Sequence, residues 1–292
     1  MFYEQKDDPV KTYVVSGSAS GIGAALTARL RADGHTVIGV DLHDAEVTGD
    51  LATESGRAAA VAGVGELTDR VDGVVPCAGV AGLTDTDSRL VVSLNFFGAI
   101  TLVTGLKPLM GAGSSVVLVS SNSVTAQPGW SAQVAGACLA DDEERARRLA
   151  APLDAVHIYP ATKAALAYWA RREGIKPEWA GAGIRVNAMA PGLIATPMTD
   201  RLREDPKLGV FADAYPTALN RPGRPEEIAS LAAFLLSEDA SLLVGSVVFA
   251  DGGTDALLHP MKPVGMDVPR IVVGAMDAMT SAVTKIKSIR KR

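Results

Sequence analysis

Thr12-Tyr-Val-Val-Ser16-Gly17-Ser-Ala-Ser-Gly21-Ile-Gly23 is followed by Ala24 to Ala32 and then by Thr36-Val-Ile-Gly-Val40-Asp41. Thr12 to Ser16 is a short β-branched and aromatic run, which reads as a strand. Ala24 to Ala32 reads as a helix that stops before Gly34, and Thr36 to Val40 as a second strand closed by Asp41. Strand, glycine turn, helix, strand and acid within about 30 residues make a βαβ unit. Glycines at 17, 21 and 23 let the backbone approach a pyrophosphate, and the N-terminus of the following helix attracts the anion. The competing reading is a glycine turn with no ligand. An acid ending the second strand hydrogen-bonds the ribose diol of NAD and repels a 2′-phosphate. Asp41 stands there, although an acid can also simply cap a loop. No Arg or Lys occurs at 17 to 23 or directly after Asp41 to welcome NADP. Asp50-Leu51 follows in a turn, placed to frame an adenine.

The alternation continues downstream. Ser55 to Ala62 reads as a short helix, Val71 to Pro76 as a strand ending in Cys77-Ala78-Gly79, and Ser88 to Leu106 as a long apolar helix. Ser115 to Ser120 is a strand of nearly continuous Val and Leu, which suits a parallel strand covered on both faces. Gly183 to Met189, Glu226 to Leu236 and Ser246 to Ala250 read as strand, helix and strand. The pattern predicts an α/β fold, a doubly wound parallel sheet of seven strands. An insert at about 122–158 interrupts it. There Asp141-Asp-Glu-Glu-Arg-Ala-Arg-Arg148 places acids before bases, as a helix dipole favours. Glu143/Arg147 and Glu144/Arg148 are i,i+4 pairs, so one small surface helix with flanking loops is expected.

The 292 residues are 48% hydrophobic and 21% charged, with a net charge of -5, so nucleic acid is not an expected partner. Cys77 and Cys138 lie far apart and form no CxxC, which fits a reducing, cytoplasmic setting. The four histidines are scattered, so no metal site is expected. Met1 to Lys11 is polar and acidic, unlike a signal peptide. No run of about 18 apolar residues is present to span a membrane.

Tyr159-Pro160-Ala161-Thr162-Lys163 is the stretch suited to chemistry. Positions i and i+4 share a helix face. A free phenol titrates near pH ~10. A nearby fixed cation favours its ionised form, so the pair suits a general acid or base for an alcohol/carbonyl conversion. Pro160 suits the first turn of a helix and so places Tyr159 at the helix mouth. Alone, Tyr-x-x-x-Lys is equally an ordinary surface helix.

Taken in order, Gly17-x-x-x-Gly21-x-Gly23, Cys77-Ala78-Gly79, Asn95, Ser121, Tyr159-x-x-x-Lys163 and Pro191-Gly192 resemble the motif set of the classical short-chain dehydrogenases/reductases. The resemblance covers about residues 12 to 255. Asp41-Leu-His-Asp-Ala-Glu-Val47, Asp50-Leu51, the long insert and Asp251-Gly-Gly-Thr-Asp-Ala256 look like the bacterial 3α-hydroxysteroid dehydrogenase/carbonyl reductase subgroup. Two departures stand out. Ser16 replaces the usual threonine, and Pro76-Cys77 replaces the Asn-Asn of many members, whose amide hydrogen bonds must then come from elsewhere.

The resemblance implies a Rossmann-type domain over 1–259 and an NAD-dependent oxidoreductase. Ser121 would hold the substrate oxygen, Tyr159 would transfer the proton, Lys163 would lower the tyrosine pKa and grip the nicotinamide ribose, and Asn95 would hold a water. Ser120 and Ser123 compete with Ser121, which matches the second serine of the family's strand-end pair. The dinucleotide would lie on Gly17, Ser20, Gly21, Ile22, Gly23, Asp41, Leu42, Asp50, Leu51 and Cys77-Ala78-Gly79, with Pro191, Gly192, Ile194 and Thr196 at the carboxamide. A substrate loop is expected over about 196–221, where Met198, Leu202, Leu208, Phe211 and Tyr215 either line an apolar pocket or pack the loop down. The implied substrate is a hydroxysteroid or another bulky apolar alcohol or ketone. The implied assembly is a homo-oligomer, a dimer rather than a tetramer, because the insert lies beside a helix face that many members use for assembly.

The tail, 260–292, is not accounted for by the family. Val272, Met276, Met279, Val283 and Ile286 form a helical stripe ahead of a basic end. It packs on its own body or a partner subunit, lies on an anionic membrane surface, or stays unfolded.

Overall fold

The computed structural model describes residues 9–127 and 129–261. By its packing the chain divides into a unit Met1–Leu257 and a second, Leu258–Arg292. The tail expectations fall on 262–292 and lie outside the described residues, as does the Phe211 side chain.

In chain order the elements are β1 Thr12–Ser16, α1 Gly21–Ala32, β2 Thr36–Asp41, β3 Val47–Thr48, α2 Glu54–Leu67, β4 Val71–Pro76, α3 Ser88–Val92, α4 Ala99–Leu106 and β5 Met110–Val119. Then come α5 Ser123–Ala126, α6 Ala132–Leu139, α7 Glu143–Ala150, α8 Ala155–Glu173, β6 Arg185–Pro191, α9 Pro197–Glu204, α10 Gly209–Asp213, α11 Pro225–Leu236, β7 Val247–Ala250 and α12 Thr254–Leu258. The seven strands pair in the order β3-β2-β1-β4-β5-β6-β7, every pair parallel.

Alternating side chains divide the core between the two sheet faces. Val14, Val74, Val116 and Leu118 face one cluster with residues of α2, α4 and α8. Val15, Val75, Val117 and Val119 face the other, with Leu26 and Leu30 of α1 and Ile228 and Leu235 of α11. Burial on both sides is why these strands read as unbroken apolar runs. From β1 the chain winds to β2 and β3, then returns to place β4 on the other side of β1. The carboxyl ends of β1 and β4 therefore flank the crevice where such sheets bind ligands.

Several expectations need correction. Ser88–Leu109 has a mean hydropathy of 1.6 and is long and apolar enough to cross a membrane, although the sequence shows no unbroken apolar run. It is 67% buried within the fold and serves as a core helix, interrupted by a π-helical turn at Ser93–Gly98. The insert holds α5, α6 and α7, not one surface helix. Ala146 and Ala150 of α7 are buried. Glu143 pairs with Arg57 of α2 at 2.6 Å, while Arg147 turns to the Ser93 hydroxyl, so the expected Glu143/Arg147 pair is replaced by tertiary contacts. Glu144 and Arg148 do pair.

Candidate active site

Gly17 has φ +68, and a Cβ there would lie 2.8 Å from the Ala78 nitrogen. A Cβ on Gly23 would lie 2.1 Å from the Gly17 oxygen, so both positions exclude side chains and the turn packs directly on α1. No side chain caps α1 at Ser20, and its first turn carries no acid. Its leading N–H groups are therefore left to an anion. Thr196 approaches the same turn: a Cβ on Gly21 would lie 3.4 Å from its methyl. These residues fit a dinucleotide pyrophosphate.

Asp41 ends β2 and reaches the glycine turn, accepting from the Ala19 N–H at 3.0 Å and the Leu42 N–H at 2.7 Å. Asp50 accepts from the Ala52 N–H, and Leu51 is buried in the core beside it. The question raised by Pro76-Cys77 is answered locally. Ser16 Oγ accepts from the Ala78 N–H at 3.2 Å, and the Ser16 carbonyl accepts from the Cys77 N–H at 3.1 Å. Burial pushes the Cys77 thiol up to about 12, against the pull of Lys163, so it stays protonated and uncharged.

The other half of the site gathers at the end of β5 and on α8. Ser120 Oγ donates to the Lys163 carbonyl at 2.8 Å and is committed to the helix. The Ser121 hydroxyl lies within reach of Tyr159. Burial raises the Tyr159 pKa, and a hydrogen bond with Ser121 opposes that rise. Lys163 Nζ donates to the Val119 carbonyl at 2.9 Å and lies 5.6 Å from the Tyr159 ring centre. Burial pushes the Lys163 ammonium down to about 8. The expected lowering of the tyrosine pKa by Lys163 is not what is found: burial raises it, and the opposing influence is the Ser121 hydrogen bond.

Asn95 occupies the π-helical turn. Its amide exchanges two hydrogen bonds with the Val80 backbone, at 2.8 and 2.9 Å, and so pins the loop after β4. Gly79 packs against Asn95 Oδ1 with Lys163 Nζ nearby: a Cβ there would lie 3.0 and 3.9 Å from the two atoms. A second correction concerns Pro160. Helix α8 begins at Ala155, capped by Asp154 accepting from the His157 N–H, so Pro160 lies inside the helix and Tyr159 is not at its mouth.

The expected substrate residues divide. Met198 and Leu202 lie on α9. A cavity of about 160 Å³ is lined instead by Leu193, Ile194, Tyr215, Thr217, Leu219 and Asp251, among others. Tyr215 is not simply apolar lining, because its hydroxyl donates to Asn122 Oδ1 at 2.6 Å. Burial raises its pKa to about 12; Asn122 opposes the rise, while Tyr159 and Asp251 add to it. Asn122 and the Asp205–Thr84 link escape sequence reasoning, since nothing local marks contacts between segments so far apart. Among the described residues no three His, Cys, Asp or Glu side chains cluster to hold a metal ion.

The short chain dehydrogenase family matches residues 11–136, and the related pattern described as Enoyl-(Acyl carrier protein) reductase matches 144–255. The chain is 36% identical over 255 residues to a 3-alpha-hydroxysteroid dehydrogenase/carbonyl reductase of Comamonas testosteroni, covering 85% of this chain and 98% of that one. It is 31% identical to a coniferyl-alcohol dehydrogenase of Pseudomonas sp., covering 83% and 96%. Its structure resembles that of a 3-alpha-hydroxysteroid dehydrogenase from Pseudomonas sp. B-0831 complexed with NADH, with TM-score 0.81, 40% identity and coverage of 87% and 100%. With this fold, this glycine cradle and these relatives, the chain belongs to the short-chain dehydrogenase/reductase family of oxidoreductases.

Proposed function

We propose that the protein interconverts a secondary alcohol and a ketone with NAD(H), and that its substrate is a hydroxysteroid or a similarly bulky apolar molecule. The observation that carries this reading is the convergence of Ser121, Tyr159 and Lys163 beside a cradle whose ribose end is faced by Asp41. Named relatives acting on hydroxysteroids support the substrate class. Gly17, Gly23 and the open N-terminus of α1 hold the pyrophosphate, Asp41 holds the adenosine ribose, and the Pro191–Thr196 turn holds the carboxamide. Bound NAD(H) supplies the hydride donor or acceptor. Ser121 hydrogen-bonds the substrate oxygen. Tyr159 Oη gives its proton to that oxygen in reduction and takes it back in oxidation. Its raised pKa keeps the phenol protonated at neutral pH, which suits reduction, and the Lys163 ammonium stabilises the phenolate that oxidation requires. Asn95 fixes the loop against which Lys163 is set.

Helices α6 and α7 of the insert pack on α8 and α3, so assembly through that face is obstructed. This supports a homodimer over a tetramer. The two free cysteines support a reducing compartment, the cytoplasm.

Tyr159→Phe tests the mechanism. Removing a general acid/base costs about 10²- to 10⁴-fold in turnover, while NADH binding, read by fluorescence titration, persists. Survival of turnover would sink the mechanism. NAD(H) is used at least about tenfold more efficiently than NADP(H), the scale of one lost or repelled charge contact. Equal efficiency would remove the role given to Asp41. A panel of hydroxysteroids and simple ketones, followed by NADH absorbance, tests the substrate class.

A further inference from the structure

Pro160 sits inside α8, directly after Tyr159. A proline has no N–H, so residue 160 cannot give the Val156 carbonyl its regular helical hydrogen bond, and the pyrrolidine ring crowds that carbonyl. Val156 is partly buried, and an acceptor left unpaired away from water is costly. A donor comes from outside the helix: Gln127 Nε2 donates to the Val156 carbonyl at 2.7 Å.

Gln127 is the C-cap of α5, the short helix that starts two residues after Ser121. Its own N–H donates to the Ser123 carbonyl at 3.0 Å, so it is held to the Ser121 segment. One side chain thus joins the segment carrying Ser121 to the helical turn carrying Tyr159, across 29 residues that lie within the insert. Two neighbouring carbonyls of α8 also accept from side chains, one within the helix and one from the end of β5. Thr162 Oγ1 donates to the Tyr159 carbonyl at 2.7 Å, and Ser120 Oγ to the Lys163 carbonyl at 2.8 Å. A regular helix would satisfy Val156 from within and would need no tie to α5. Pro160 creates the vacancy, and Gln127 fills it at the helical turn that carries Tyr159. Small errors in the placement of a reacting group cost rate more than affinity.

We propose that Gln127 is a positioning residue for Tyr159, supplying the hydrogen bond that Pro160 withholds and so holding in place the helical turn that carries Tyr159. The proposal rests on the acid/base reading of Tyr159. Gln127→Leu lowers kcat about tenfold, with the KM for NAD(H) unchanged. Pro160→Ala restores an N–H at residue 160 and leaves kcat near the wild-type value. In the Gln127→Leu/Pro160→Ala double variant kcat recovers to within about threefold, the non-additivity expected of coupled sites.

A wild-type kcat for Gln127→Leu overturns the proposal, and so does a loss that Pro160→Ala fails to rescue. If Gln127→Leu does not fold, the comparison is made within the Pro160→Ala background, where a full loss on adding Gln127→Leu overturns it equally. Amide hydrogen exchange of residues 155–159 separates this outcome from failure of the functional reading. Exchange rises in Gln127→Leu and falls back in the double variant whatever Tyr159 does. Turnover surviving Tyr159→Phe removes the acid/base reading without altering that exchange result.

Discussion

Tyr215 donates its hydroxyl hydrogen to Asn122 Oδ1 at 2.6 Å, linking the segment before α11 to the residue beside Ser121. The bond latches the segment 196–221 onto the end of β5. Tyr215→Phe leaves a buried amide oxygen unpaired, which costs about 1–3 kcal/mol. The expected result is a roughly tenfold rise in the KM of the alcohol or ketone, since about 1.4 kcal/mol is one decade. NADH affinity stays as it was. Steady-state kinetics and fluorescence titration read the two quantities.

A second latch joins α9 to the loop after β4. Thr84 donates both its N–H and its hydroxyl to Asp205 Oδ2, each at 2.8 Å, while Lys207 and Leu208 N–H groups serve Oδ1. Burial pushes this carboxyl up, and the hydrogen bonds outweigh it, holding it at about 2. The folded pKa lies below the unfolded value of about 3.9. The contribution is therefore complete above pH ~4 and is lost as pH falls towards 2. Asp205→Asn should lower Tm at pH 7 and raise hydrogen exchange over 197–208. Its Tm deficit against wild type should shrink between pH ~4 and ~2.

Lys163, proposed above to support the phenolate, is destabilising for the fold. Its folded pKa of about 8 lies below the free lysine value. Below pH 8 the folded chain carries the full penalty of a buried ammonium. Between pH 8 and about 10.4 the unfolded chain holds the extra proton, so this penalty is relieved as pH rises. Cys77 and Tyr159, the titratable groups beside it, stay neutral over most of that range. Lys163→Met should raise the Tm of the unliganded protein at pH 7 by about 2–4 °C, roughly 1 kcal/mol for a domain of this size. Turnover should collapse, and the Tm gain should fade above pH 8.

Arg57 is nearly enclosed, its side chain 5% exposed, and Glu143 of the insert is its partner at 2.6 Å. Glu143→Leu leaves that cation buried without its countercharge, at a cost of about 3 kcal/mol. Thermal denaturation should show a clear drop in Tm, and pairing the change with Arg57→Met should restore most of it. An unchanged Tm for the single variant would mean that the insert contributes nothing through this pair.

The βαβ unit, the strand runs and the Tyr159/Lys163 pair were legible because each is local: a period, a turn or a helical spacing. The edge strand Val47–Thr48 is too short to show a pattern. Strand β5 begins at Met110 rather than Ser115 because Gly111 and Gly113 are weak strand formers carried along by the sheet. Helix α6, rich in Ala and Gly, offers little periodicity; only its cap Ser131, accepting from the Val134 N–H, marked a start. Pro160 points to the wrong start because proline favours first turns, although the Asp154 cap six residues upstream marks the true beginning. The Asn122–Tyr215, Thr84–Asp205 and Arg57–Glu143 pairs join distant segments, which no local rule reaches.

The sheet order carries a consequence for synthesis. Strand β1 and its glycine turn leave the ribosome first, yet β1 is flanked by β4, with Tyr13 beside Gly73 and Ser16 beside Pro76. Ala78 braces Gly17 from the far side, and Thr196 abuts Gly21. Non-local pairings of this kind form late, because the intervening chain must be closed first. A nascent chain that stops before β6 lacks Thr196 beside the glycine turn and lacks β6, one of the strands on which the tyrosine helix packs. Catalytic competence should therefore arrive only after β6 and Thr196 are made, and the apolar β1 must wait, exposed to chaperones, for β4, encoded 60 residues downstream (Tyr13 to Gly73).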